Sequence, residues 1–172
     1  MILLIDATSK KIKLALDDKA VGVESIRQTT DLPKIAKEFL MDAKPDAIGV
    51  VTGPGSFTGI RLGIAYAKGL AMGFDIPLIG INLFELAKPS SPLWRGAPKG
   101  RGGLLAVKSD RGDYYTFDGK EYGISPDLPE NAKLVTDWDP KQGVALIREK
   151  LKEPPTPTIP LYIRPSYVDN NC

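Results

Sequence analysis

The sequence has no histidine, and its single cysteine is Cys172, the last of 172 residues. Without histidine there can be no Ser-His-Asp triad, no Cys-His pair and no metal site built on imidazole. With one cysteine there is no internal disulfide, and a thiol on a terminal residue is poorly placed to act as a nucleophile. A dominant charge is missing too. Twenty-three basic and 21 acidic residues leave a net charge of +2, which gives no global attraction to nucleic acid. No apolar run approaches the roughly 20 residues of a membrane span. The opening MILLIDATSKK carries about four apolar residues before an acid, unlike a secretory signal, so the expected compartment is the cytoplasm. Any chemistry would fall to carboxylates, lysines, hydroxyls and backbone amides.

What is present is a regular alternation of elements. Ile2–Ile5 is continuously aliphatic and reads as a buried strand. Ile12, Leu14 and Leu16 alternate with Lys13 and Ala15 as a half-buried strand should, and Val21–Ile26 predicts a third strand. Asp31 is a good N-cap, with Pro33 in the first turn of the helix it predicts. Leu32, Ile35, Ala36, Phe39, Leu40 and Ala43 then fall on one helical face, and Pro45 ends it. DAIGVV reads as a buried strand, a helix is expected from about Thr58 to Gly73, and PLIGI as the next strand. The order βββαβαβ places helices on a mixed sheet.

Lys88–Gly103 is rich in proline, glycine and serine and divides the chain. The expected organisation is a first lobe over 1–87, an interlobe loop over 88–103 and a reduced second lobe over 104–172. The loop carries Lys88, Arg95, Lys99 and Arg101 beside Trp94, a combination that can touch RNA, although a solvated linker explains it as simply. Leu104–Gly123 (LLAVKSDRGDYYTFDGKEYG) echoes Leu3–Gly22 (LLIDATSKKIKLALDDKAVG) without a gap. Both read as strand, polar turn, strand, acidic turn, strand, so a duplication is expected. A duplicated βββαβα unit is the plan of the α/β fold called actin-like or ribonuclease-H-like. In the second copy KLVTDW is a candidate strand, Pro140–Lys152 a helix, EPPTPTIP an extended segment and LYIRPSYV a closing edge strand. Asp110, Arg111 and Asp113 sit in a hairpin turn, where turn hydrogen bonds explain them better than acid–base chemistry.

The stretch VVTGPGSFTGIRLGIAYAKGLAMG raises a separate question. A glycine turn at a helix start suits an anion. Yet Gly59 is followed by Ile60-Arg61, so the Gly-Lys-Ser/Thr of a phosphate loop is missing, and Gly53, Gly55 and Gly59 miss the dinucleotide spacing by one. Gly59, Gly63, Ala67 and Ala71 recur every four residues as a strip of small side chains. Gly59, Gly63 and Gly69 together cost the helix roughly 2 kcal/mol relative to alanine. Close approach of another element offsets such a cost. The spacing leaves open whether that element is the chain's own sheet, its first helix or a second chain.

GPGSFTGIRLGIAYAKGLA closely resembles the signature of the TsaB (YeaZ) family. LLIDATS, IPLIGINLFELA, SDRGDYY and PLYIRPSY add to the resemblance, which covers the first half of the chain well and the second in patches. It implies an actin-like fold of two related lobes, the second one shortened here. It implies a non-catalytic scaffold subunit in the formation of N6-threonylcarbamoyladenosine at position 37 of tRNA. The implied partners are a TsaD-type catalytic paralogue, a TsaE-type ATPase, tRNA through the complex, and a second copy of the chain.

Pairing in the family uses the two helices of the first lobe. Carried over, this implies a partner-binding set of Leu32, Ile35, Phe39, Gly59, Arg61, Gly63, Ala67 and Lys68. A bulky residue at Gly63 is then expected to block assembly without unfolding the chain. In actin-like nucleotide-binding proteins the first turn approaches phosphates and its aspartate helps to hold a metal. Asp6, Thr8 and Ser9 occupy that turn, with Ala7 where a hydroxyl is more usual, so turn capping is the simpler role and no tightly bound cofactor is expected. ATP or ADP is expected only at an interface within the complex. The alternative reading is an actin-like ATP-dependent phosphotransferase built on Asp6, Thr8 and Ser56.

Overall fold

A computed structural model describes residues 1–87 and 103–164. The loop expected at Lys88–Gly103 and the end of LYIRPSYV fall almost wholly outside the described residues.

Five strands form the first sheet: β1 (Ile2–Asp6), β2 (Lys11–Leu16), β3 (Lys19–Glu24), β4 (Ala47–Val51) and β5 (Leu78–Ile81), in the order β3-β2-β1-β4-β5. β1 runs antiparallel to β2 and parallel to β4, with Leu3 opposite both Leu16 and Ile48. The second sheet holds β6 (Leu104–Lys108), β7 (Tyr114–Phe117), β8 (Tyr122–Ser125) and β9 (Ala132–Leu134), in the order β8-β7-β6-β9. β6 occupies the place of β1, antiparallel to β7 and parallel to β9. The same topology written twice is the actin-like fold.

Both faces of the first sheet are covered, so β1 and β4 are buried at every position and read as unbroken aliphatic runs. Leu3, Ile5, Ile48 and Val50 face helices α1 (Gln28–Leu40) and α2 (Phe57–Phe74). Ile2, Leu4, Ala47 and Ile81 face the short helix α3 (Leu83–Ala87), helix α4 (Pro140–Lys150) and the apolar side of the second sheet, Leu105, Val107 and Phe117. α4 follows β9 in the chain, yet it packs on β1, β2 and β5.

Three expectations shift. α1 begins at Gln28, so Asp31 lies inside the helix and accepts a hydrogen bond from Ser25 Oγ at 2.6 Å. β3 begins at Lys19 because the turn at Asp17–Asp18, with Asp17 at φ 51°, sets Lys19 opposite Leu16. Ile26 lies past the end of β3 and is 94% exposed. The strand expected in KLVTDW is Ala132–Leu134, extended by a bond from Val135 N to Ala106 O. α4 starts as read, with Pro140 at its first turn and the Asp139 carboxylate accepting from Lys141 N at 2.9 Å.

Candidate functional site

The end of β1, the start of α2 and the β9–α4 link meet at a cleft of about 270 Å³ between the two sheets. Asp6 ends β1 and is only 7% exposed. Its Oδ1 accepts from Thr8 N at 2.9 Å and Thr8 Oγ1 at 2.7 Å, the turn capping that an aspartate two residues ahead supplies. Its Oδ2 accepts from the indole Nε1 of Trp138 at 2.7 Å. Ser9 Oγ donates to Lys11 O within the same turn. Lys13 sits 4.0 Å above the Trp138 ring, donates to Trp138 O at 2.6 Å and pairs with Asp137. Burial pushes the Asp137 carboxyl up, but the Lys13 hydrogen bond and the Trp138 amide outweigh it and hold the group below the usual range.

These residues do not fit a metal-bound nucleotide. Both Asp6 oxygens already have donors, and among the described residues no cluster of three acids or thiols is arranged around a cation position. The glycine loop is occupied in the same way. Gly53 has φ +122°, Ser56 N donates to Thr8 O at 2.6 Å, and Ser56 Oγ accepts from Gly59 N as the α2 cap. One loop amide, Ser56 N, thus joins the loop to the β1–β2 turn, and another, Gly59 N, is taken by the cap.

Behind the loop, α2 has two different faces. Gly59, Ile60, Gly63, Ile64, Ala67 and Ala71 are buried. A Cβ on Gly59 would collide with the carbonyl oxygen of Ala7, and one on Gly63 would lie 3.5 Å from Ala7 Cβ. The strip therefore seats α2 on the chain's own β1–β2 turn. Gly59, Gly63 and Ala67, with Leu32 fully buried in α1, thus pack inside the chain. Spacing of four marked a close approach but could not say which body approached.

A second strip faces outward. Ala65, Gly69 and Gly73 are exposed at the same spacing, and a Cβ on either glycine would meet nothing within 4 Å among the described residues. Beside it Leu62, Tyr66 and Leu70 of α2, with Ile35 and Phe39 of α1, are half-buried, and Met72 is 83% exposed. Burial also pushes the Tyr66 hydroxyl above its usual pKa. Lys68 lines a shallow hollow with Met72, Ile76 and Leu78 on the β5 side. Arg61 lies 3.8 Å over the Phe57 ring, and its Nε donates to Tyr162 Oη at 2.9 Å, so it fastens the C-terminal segment to α2. Trp138 and Tyr162 were not among the residues expected at the site. A tryptophan set among acids in TDWDP, outside any apolar period, was the available signal for the first.

The sequence model of the family described as "TsaD: tRNA N6-adenosine threonylcarbamoyltransferase" matches residues 32–89. The chain is 39% identical over 72 residues to the tRNA threonylcarbamoyladenosine biosynthesis protein TsaB of Escherichia coli K12, covering 41% of this chain and 29% of that protein. It is 33% identical over 97 residues to TsaB of Bacillus subtilis, covering 53% of this chain and 38% of that one. A tRNA N6-adenosine threonylcarbamoyltransferase of Nitratidesulfovibrio vulgaris is 57% identical over 37 residues, 22% of this chain and 10% of its own. The matches thus span well under half the length of these curated relatives. In fold, a Pseudomonas aeruginosa protein described as similar to peptidase YeaZ superposes with a TM-score of 0.67 at 16% identity, covering 95% of this chain and 99% of that one. YeaZ from the same organism gives 0.63 at 18% identity, covering 94% and 99%. In sequence the chain is thus similar to TsaB proteins through the signature helix, and over its whole length it shares the fold of YeaZ.

Proposed function

We propose that the chain is a scaffold subunit in the formation of N6-threonylcarbamoyladenosine on tRNA, and that it docks a TsaD-type catalytic subunit on the outer face of α1 and α2. The observation that carries this reading is the outward strip Ala65, Gly69 and Gly73. Two exposed helical glycines each cost roughly 1 kcal/mol relative to alanine, and no neighbour among the described residues needs the space. A partner helix packed against the strip accounts for them, and the half-buried Ile35, Phe39, Leu62, Tyr66 and Leu70 widen the face it would cover. Lys68 flanks it, and Arg61 borders it through Phe57.

The chain itself is non-catalytic on this reading: it stabilises and orients the partner, which brings the reacting groups. With no histidine it cannot build an imidazole metal centre. tRNA and a TsaE-type ATPase are reached through the complex, ATP or ADP is held only where the partner adds groups, and the compartment is the cytoplasm. A homodimer through the same face would compete with the catalytic partner. None of the described helices is long and apolar enough to cross a membrane.

The test compares Gly69→Ala with Gly69→Leu. Both are expected to fold, because the site opens to solvent. Gly69→Leu is expected to lose co-purification with the TsaD-type paralogue and, in a reconstituted assay, the modified nucleoside measured by mass spectrometry. A Gly69→Leu chain that assembles and supports modification at the wild-type level refutes the docking face.

A further inference from the structure

The resemblance to actin-like nucleotide-binding proteins implies that the first turn approaches phosphates and that its aspartate, here Asp6, helps to hold a metal. Here that aspartate meets a side chain. Trp138 Nε1 reaches Asp6 Oδ2 at 2.7 Å across the cleft. We propose that Trp138 takes the place of such a ligand, so that the angle between the lobes is fixed by a protein–protein bolt and is closed without any nucleotide.

The bolt is held from several sides. The ring is 6% exposed and lies in the apolar core shared by the two sheets. Lys13 of β2 lies over its face at 4.0 Å and bonds its carbonyl at 2.6 Å. Lys13 also pairs with Asp137, whose Oδ1 accepts from Trp138 N at 2.8 Å. Two first-sheet strands, β1 through Asp6 and β2 through Lys13, thereby clamp one residue of the β9–α4 link. Asp6 is also tied to Thr8 N and Oγ1, so its carboxylate cannot swing toward a ligand without breaking the first turn. A hydrogen bond to a charged acceptor away from water is among the stronger ones a fold can use. The inference stands whichever partner docks on α1 and α2, because none of these residues lies on that face.

The test uses the full chain with Trp94→Phe, so that Trp138 is its single tryptophan. Asp6→Asn and Trp138→Phe each remove one end of the bolt while keeping shape. Asp6→Asn is expected to increase acrylamide quenching of Trp138. Both variants are expected to speed amide exchange in residues 135–147 about tenfold while α1 keeps its wild-type rates. Millimolar Mg-ATP is expected to leave wild-type exchange and quenching unchanged. Either of two results overturns the inference: wild-type exchange over 135–147 in both variants, or micromolar Mg-ATP binding by the unaltered chain with protection of the Thr8–Lys11 turn. Should Trp138→Phe fail to fold, Asp6→Asn and the Mg-ATP titration decide alone.

Discussion

Three glycines of α2 stand in three environments, so alanine at each should give three different results. At Gly69 a Cβ meets no described residue within 4 Å, and the glycine sits in the interior of an 18-residue helix. The substitution then gains the difference in helix propensity, about 1 kcal/mol, or roughly 2–4 °C in Tm for a chain of this size. At Gly63 the new Cβ lies 3.5 Å from Ala7 Cβ and 3.8 Å from Val50 Cγ2, ordinary contact distances. Gly63→Ala should therefore fall between neutral and about 1 kcal/mol stabilising. At Gly59 the Cβ collides with the backbone oxygen of Ala7, which no rotamer change can move. The helix must lift from the β1–β2 turn and stretch the Ser56–Thr8 link, so the loss should reach about 3 kcal/mol, or roughly 6–12 °C. Thermal and urea unfolding followed by circular dichroism measure all three. A destabilised Gly69→Ala, or a Gly59→Ala as stable as wild type, refutes the assignment of inner and outer faces.

Other expectations can be checked on the same preparations. Ile147 is fully buried where α4 meets the first sheet, so Ile147→Ala should cost about 3–4 kcal/mol in urea unfolding. The Asp113 carboxyl is held below its usual 3.8 by the Ser109 hydroxyl and then by Arg164. A carboxyl whose pKa is lowered by folding stabilises the fold above the unfolded value. That contribution should fade as pH falls below about 4, and Asp113→Asn should flatten the stability–pH curve there. The two sheets share one apolar core, with Ile2, Leu4 and Ile81 from the first and Leu105, Val107 and Phe117 from the second. Unfolding followed by Trp138 fluorescence in the Trp94→Phe chain should therefore coincide with unfolding followed by circular dichroism, and an intermediate plateau would show lobes that fold separately.

Much of this architecture is legible in the residues because burial on both faces leaves a simple mark. Ile2–Ile5 and DAIGVV are unbroken apolar runs, and β1 and β4 are the strands covered on both sides. α2 and α4 carry their own punctuation, Ser56 at one start and Asp139-Pro140 at the other. The start of α1 was misplaced because Asp31 has the composition of a cap, while its carboxylate serves the Ser25 hydroxyl instead. α3 escaped period analysis because five residues hold barely more than one turn, yet Asn82 and Glu85 form a reciprocal capping box, Glu85 N to Asn82 Oδ1 at 2.9 Å and Asn82 N to Glu85 Oε2 at 3.0 Å. The inner and outer small-residue strips share the same period, and only their phase against Ile60 and Ile64 distinguishes them. The contact between Asp6 and Trp138 spans 132 positions, and no local pattern encodes it.

The short β8–β9 link of the second sheet and the bolt share a physical cause. In the first sheet the passage from β3 to β4 uses α1 and its flanking turns, residues 25–46. In the second, only residues 126–131 join β8 to β9. β9 lies three strand places from β8, about 14 Å, and the link must also return along a strand of three or four residues. Six residues with their flanking bonds extend to at most roughly 20–25 Å, and the link ends in a turn where Ala132 N donates to Pro129 O at 2.9 Å. A link of six residues leaves no length for a helix like α1 and leads into β9, a strand of three residues. Such a strand anchors weakly through its own ladder, so the chain beyond it needs another hold. α4 supplies part of it by packing on the first sheet, and the indole of Trp138, placed just before α4, adds to it by bonding the Asp6 carboxylate at the cleft.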